Sequence, residues 1–218
     1  MKPENNLKVA CDLVRDRIQG SLDVKKTMLL DAHFHELIAR AAMQVVKSLR
    51  AGGKVFFFGN GGSAADAQHL AAEFTGRYLK ERQALPAMAL SVNSSSVTAI
   101  GNDYGFDHVF ARQLEAFGKE GDVAIGISTS GNSRNVIRAM EAAKSKSIFT
   151  IALTGASGGL LRDLVDCPIC IPSEETPRIQ ECHILTGHII CEIAEEMLLE
   201  APKAQSEIRS RRPSKTTR

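Results

Sequence analysis

The sequence predicts an α/β fold, a doubly wound parallel sheet of five strands with extra helices ahead of the first strand. Three observations carry this. Short apolar runs rich in β-formers alternate with stretches of helical period from residue 54 onward. One run, Val123-Ala-Ile-Gly-Ile127, is apolar throughout, as a strand buried on both faces must be. Polar loops rich in glycine or serine follow the first and third strands, where ligands bind in sheets of this kind.

Taken in order, Leu7, Ala10, Cys11, Val14 and Ile18 give a helix over 7–19. Asp31 can cap a second helix through Leu37, Ala41, Val45, Val46 and Leu49 to a Gly52-Gly53 stop. Two amphipathic helices before any strand must cover a sheet face or pair with another subunit, and the long apolar stripe makes the second plausible. His33 and His35 read as surface histidines. The first strand is Lys54–Phe58. It meets Gly59-Asn-Gly-Gly-Ser63, a tight turn that offers N–H groups to an anion at a helix start.

The helix from Ser63 to Arg77 buries Ala67, Leu70, Ala71 and Phe74, and carries Asp66, His69, Glu73 and Arg77 on a polar stripe. Residues four apart stand one above the other, so His69 and Glu73 suit an acid/base or metal pair. A solvated face with a Glu73–Arg77 pair fits the same pattern. Ala87–Leu90 is a second strand. A short helix runs from Ser94 toward Gly105, and another from Phe106 to Phe117. After the third strand, Val123–Ile127, comes Ser128-Thr-Ser-Gly-Asn-Ser133, then a helix over Asn135–Lys146. Five polar residues in six exceed what N-capping needs and read as an anion nest. Ile148–Leu153 and Cys167–Ile171 complete the sheet. The last helix, Pro177 to Leu199, is apolar around most of its circumference, as in a domain centre or an oligomer bundle. Its polar stripe holds Glu181, His188, Glu192 and Glu195, with Gln180 to one side.

Residues 1–200 read as one domain and 201–218 as a basic, disordered tail, because the apolar period ends at Pro202 and Arg209, Arg211, Arg212, Lys215 and Arg218 face only Glu207. The net charge of +2 and 44% hydrophobic content suit a globular body and do not call for nucleic acid or an anionic membrane. With no signal-type segment or membrane-length apolar run, the expected compartment is the cytoplasm. The five cysteines make a single C-x-x-C, Cys167 and Cys170, in a strand, so reduced and mostly buried thiols are expected. Neither loop spells a dinucleotide or P-loop motif, and a small phosphorylated metabolite fits better.

Several runs together resemble one family. Gly59-Asn-Gly-Gly-Ser63, Asp66-Ala-x-His69, Glu73-x-Thr-Gly-Arg77, Gly101-Asn-Asp-x-Gly-Phe106, Gly126-Ile-Ser-Thr-Ser-Gly-Asn-Ser133, Leu153-Thr-Gly155 and Arg178-Ile-Gln-Glu181 through His188 are similar, in order over about 30–200, to the sedoheptulose 7-phosphate isomerases of the sugar isomerase (SIS) superfamily. The resemblance implies a flavodoxin-like SIS sandwich in a homotetramer. It also implies the aldose–ketose isomerisation that leads to D-glycero-D-manno-heptose 7-phosphate, the first step toward the heptose of lipopolysaccharide or related surface glycans. A proton moves between C1 and C2 through an enediol, which needs a base at carbon and a partner for the hydroxyl proton. By resemblance these are Glu73 and His188, and a zinc site, one per subunit, corresponds to His69, Glu73, Gln180 and His188. A carboxylate cannot freely be both tight ligand and base, so the two roles of Glu73 compete.

The same resemblance places the phosphate on Ser128, Thr129, Ser130 and Ser133. Asn60, Gly61, Gly62 and Ser63 lie close by, and Arg77, Asn102, Asp103 and Gln180 line the sugar. One departure is Pro177, where family members often carry Asp, which puts a sugar-hydroxyl contact in question. The alternative from another class is a non-catalytic SIS protein that binds the replication initiator DnaA. Such proteins lack the counterparts of Glu73 and His188.

Overall fold

A computed structural model of the chain describes residues 3–199, so the basic tail lies outside the described residues. The elements, in order, are α1 (Pro3–Leu30), α2 (Ala32–Arg50), β1 (Val55–Gly59), α3 (Gly62–Thr75), β2 (Ala87–Ala89), α4 (Ser94–Tyr104), a 3-10 turn (Phe106–His108), α5 (Ala111–Phe117), β3 (Val123–Ser128), α6 (Arg134–Ser145), β4 (Phe149–Thr154), α7 (Leu161–Leu164), β5 (Cys167–Cys170) and α8 (Thr176–Leu199). The five strands form one sheet in the order β2-β1-β3-β4-β5, every pair parallel, with β3 at its centre as its apolar run requires.

Period-two alternation sorts the side chains into two cores. On β1, Val55 and Phe57 face α2, α3 and α8, while Phe56 and Phe58 face α5 and α6. Each buried phenylalanine contributes about 1.5–3 kcal/mol relative to exposure. The helix caps follow the sequence: the Asp31 side chain accepts from the Phe34 N–H at the start of α2, and Asn93 accepts from Ser96 at the start of α4.

Three local differences from the sequence reading appear. The first helix runs to Leu30, well past residue 19, and stays close to α8 through a bond from Arg178 to the Arg17 carbonyl. The expected helix over Phe106–Phe117 breaks into a 3-10 turn and a shorter helix, because successive residues Val109, Phe110 and Ala111 are all buried, which one uniform 3.6-residue stripe cannot arrange. The one-turn α7, anchored by buried Leu161, carries too few residues to show a period. The cysteines are free thiols: Cys167, Cys182 and Cys191 are buried, Cys170 is half-buried and Cys11 is exposed.

His183 on α8 is buried beneath β4, with its Nε2 3.1 Å from the Thr154 carbonyl oxygen. That oxygen can only accept, so Nε2 carries the proton, and Nδ1 has no partner among the described residues. Burial pushes the imidazole pKa down from 6.5 to about 4, with the bond to Thr154 pulling the other way. The unfolded chain therefore takes up this proton at a higher pH than the fold does. The resulting stability, about 3 kcal/mol, is complete above pH 6.5 and is lost as pH falls toward about 4. We expect His183→Gln, which keeps an N–H for Thr154, to lose melting temperature less steeply than the parent across that window. Parallel curves for the two proteins would refute the assignment.

Candidate active site

The chain leaves β1 into α3 on one face of the sheet and leaves β3 into α6 on the other, although β1 and β3 are neighbours. A crevice opens at such a switch point. The two polar loops form its lips. Asn60 and Asn135 bridge it through a reciprocal amide pair, Nδ2 to Oδ1 at 2.9 and 2.8 Å. Asn60, expected at the sugar, thus spends half of its hydrogen-bonding capacity as a strut to α6. Gly61 caps α3 at a φ of 55° without a side-chain bond, and Ser63 is buried just inside the helix.

The serine-rich loop is closed on itself. Ser128 Oγ lies 2.9 Å from Ser133 Oγ and 3.5 Å from Ser130 Oγ. Ser133 occupies the N-cap of α6 yet makes no capping bond, so its hydroxyl faces its fellow serines and not the helix. This counts against simple N-capping: hydroxyls converge where the helix dipole favours an anion. Thr129 is half-buried and Ser130 exposed on the same turn.

A second constellation lies between α3 and α8. These helices touch closely at Gly187, where a Cβ would come within 2.5 Å of the Leu70 side chain. Beside that contact His69 Nε2 and His188 Nε2 stand 2.8 Å apart, and Glu73 Oε1 lies 3.4 Å from His69 Nε2. One ligand atom from each of the three falls within 4.8 Å of the others. Burial, then the neighbouring His69, lowers the His188 pKa, while Glu73 pulls it up. The shift favours the neutral ring, which can take up a proton. Two imidazole nitrogens and a carboxylate oxygen converging in this way form a donor set suited to zinc. Asp66, one turn before His69, is half-buried with Oδ2 unpartnered, and burial raises its pKa against the pull of His69.

Other expected residues stand apart. Gln180 lies two turns before His188, about 12 Å along α8 at 1.5 Å per residue. Its amide packs on Gly62, where a Cβ would meet Nε2 at 2.6 Å. Of the four metal candidates the chain gathers His69, Glu73 and His188, while the Gln180 amide packs against the first loop. Arg77 pairs with Glu81 at 3.9 Å and is exposed, so the Glu73–Arg77 pair that a solvated face would show is replaced by Glu73–His69. Asn102 donates to Asp103 at 2.8 Å in the exposed last turn of α4. Pro177 sits in the first turn of α8, where no N–H is needed.

Two features escaped sequence reading. The Tyr78 ring lies 5.6 Å from that of His188, tilted by 34°. Glu195, which looked like one more acid on the polar stripe, is buried and accepts from the N–H groups of Tyr78, Leu79 and Lys80 and from Arg82 Nε. Burial raises its pKa, but these donors outweigh it and hold the carboxyl below its ordinary range. Neither could be found by period, since Tyr78 and Arg82 lie in the irregular strap after α3.

The SIS domain family profile matches residues 27–155. The phosphoheptose isomerase of Rhodospirillum rubrum is 60% identical over 161 residues, 74% of this chain and 86% of the relative. That of Aneurinibacillus thermoaerophilus is 51% identical over 187 residues, 86% and 94% of the two chains. The chain belongs to the phosphoheptose isomerase family. Solved phosphoheptose isomerases share its fold: the structure from Neisseria gonorrhoeae, at 43% identity, superposes with a TM-score of 0.78 over 86% of this chain and 99% of that one. The structure from Francisella tularensis, at 37% identity, gives 0.82 over 86% and 98%. As a phosphoheptose isomerase family member the chain is an isomerase acting on a heptose phosphate. Among the described residues, no helix is long and apolar enough to cross a membrane.

Proposed function

We propose that this isomerase interconverts sedoheptulose 7-phosphate and D-glycero-D-manno-heptose 7-phosphate in the cytoplasm, feeding the heptose of lipopolysaccharide or related surface glycans. The observation that carries the reading is the meeting of Glu73 with His69 and His188 across two helices, the histidines being 119 residues apart in sequence. Glu73 takes the proton from C1 of the ketose and returns it to C2 of the enediol, and neutral His188 accepts and returns the hydroxyl proton. Ser128, Thr129, Ser130 and Ser133 hold the phosphate at the start of α6. Asn60, Gly61, Gly62, Ser63 and Gln180 wall the crevice, with Asn102, Asp103 and Arg77 at its rim.

His69, Glu73 and His188 would also hold a zinc ion, with Gln180 as the fourth residue implied by family resemblance. Such an ion would supply charge stabilisation for the developing enediolate. The exposed apolar stripe of α1, including Leu7, Val14, Ile18 and Leu22, suits burial in a homotetramer. Nothing observed favours the DnaA-binding alternative, which calls for a chain without the Glu73 and His188 counterparts.

The direct test is turnover of sedoheptulose 7-phosphate by purified protein, with metal analysis before and after chelation. Aldose formation is expected, with stoichiometric zinc and a loss of activity that added zinc reverses. No turnover of this ketose would sink the substrate assignment, and full activity after exhaustive chelation would remove zinc from the account.

A further inference from the structure

We infer that the buried Arg82–Glu195 pair is a positioning device for the reaction, setting where Glu73 stands relative to His188. Arg82 Nη2 donates to the carbonyl oxygen of Glu73 itself at 2.7 Å, and Nη1 donates to those of Phe74 and Gly76 at 2.9 and 3.3 Å. One guanidinium therefore caps the end of α3 at the residue read as the base. Its Nε donates to Glu195 Oε1 at 2.9 Å, with the two side chains only 5% and 3% exposed. Glu195 follows His188 by seven residues on α8, hence two turns on along the same face. The ion pair is a cross-brace from the base-bearing end of one helix to the helix that carries the acid.

The same carboxylate fixes a second approach to His188. Oε1 also accepts from the Tyr78 N–H at 3.1 Å, and Oε2 accepts from Leu79 and Lys80, each at 2.8 Å. These three bonds fasten the strap whose Tyr78 ring lies against His188. Gly187 against Leu70 closes the helix pair nearby. Buried ion pairs add little net stability over apolar packing, because desolvation offsets the attraction. What this one provides beyond packing is direction: a planar fork that meets four carbonyls, those of Glu73, Phe74, Gly76 and Gln83, and one carboxylate at once.

This inference rests on Glu73 and His188 being the reacting pair, so Glu73→Gln is assayed beside Glu195→Gln and Arg82→Lys. Glu195→Gln turns one acceptor edge into a donor facing N–H groups, and Arg82→Lys keeps the charge but loses the fork. With folding verified by circular dichroism, each brace variant is expected to lower kcat about 10- to 100-fold, the effect of a displacement near 1 Å, while KM moves by less than about threefold because the serine-rich loop is untouched. A folded Glu195→Gln protein with wild-type kcat, or one whose loss lies in KM alone, overturns the proposal. If that variant does not fold, Arg82→Lys is judged by the same criterion, and failure of both to fold would make the pair a stability element and overturn it as well. An active Glu73→Gln enzyme would bring down the site reading and this inference together, whereas an inactive one beside a fully active Glu195→Gln enzyme brings down the brace alone.

Discussion

Glu73→Gln is expected to lower kcat by about 10³-fold, within the range that a positioned general base supplies, while leaving the fold unchanged. The change is nearly isosteric. The Glu73 side chain is 20% exposed and forms an ion pair with His69 at 3.4 Å, so an amide in its place strands no deeply buried charge. Gln keeps the helix propensity of Glu, and its carbonyl still receives Arg82. What disappears is the capacity to accept a proton from carbon. His188→Gln should cost a comparable factor, because an amide cannot shuttle the hydroxyl proton. Steady-state kinetics with sedoheptulose 7-phosphate, alongside thermal melts, checks both. Near wild-type turnover in either variant would end the assigned mechanism. Metal content separates the two competing roles of Glu73: an inactive variant that retains zinc points to the base, and one that has lost it points to the ligand.

The sequence made one half of this site legible and left the other half ambiguous. Spacing alone put His69 and Glu73 on one face of a helix that starts at a glycine turn, and the structure keeps them 3.4 Å apart. Alternation likewise gave the five-stranded parallel sheet and its central β3, because a strand covered on both sides has no polar positions to confuse the pattern. The last helix was different. Glu181, His188, Glu192 and Glu195 share one stripe, and period cannot tell a residue paired with Arg178, a residue facing His69, an exposed acid and a buried brace from one another. Those assignments depend on which other element each side chain meets. The strap after α3 has no period at all, so Tyr78 and Arg82 carried no signal. Gln180 is a further case: resemblance groups it with the histidines, and in the fold its amide packs on Gly62, a contact that no spacing within α8 predicts.

The serine-rich loop leads to the second large effect, which turns on a residue with no side chain. Gly131 has a φ of 65°, and a Cβ there would fall 1.9 Å from the Gly158 carbonyl oxygen and 2.4 Å from its carbon. Both are backbone atoms, so no rotamer change relieves the clash. The two segments are also tied together, Leu161 N–H to the Gly131 carbonyl at 3.1 Å and Leu160 N–H to Asn132 Oδ1 at 3.0 Å. Gly131→Ala must therefore push the 128–133 turn off the 158–161 segment and pull apart the hydroxyls of Ser128, Ser130 and Ser133. Loss of one charge-assisted hydrogen bond to phosphate, about 1.5–3 kcal/mol, corresponds to about a 10- to 100-fold weaker seat. The expected result is a KM raised by that factor, with inhibition by inorganic phosphate weakened in step and kcat reduced much less, because Glu73 and His188 stand on other elements. A folded Gly131→Ala enzyme whose KM and phosphate inhibition match the parent would move the phosphate seat away from this loop. The anion would then sit at the Gly59–Ser63 turn, against which Gln180 packs.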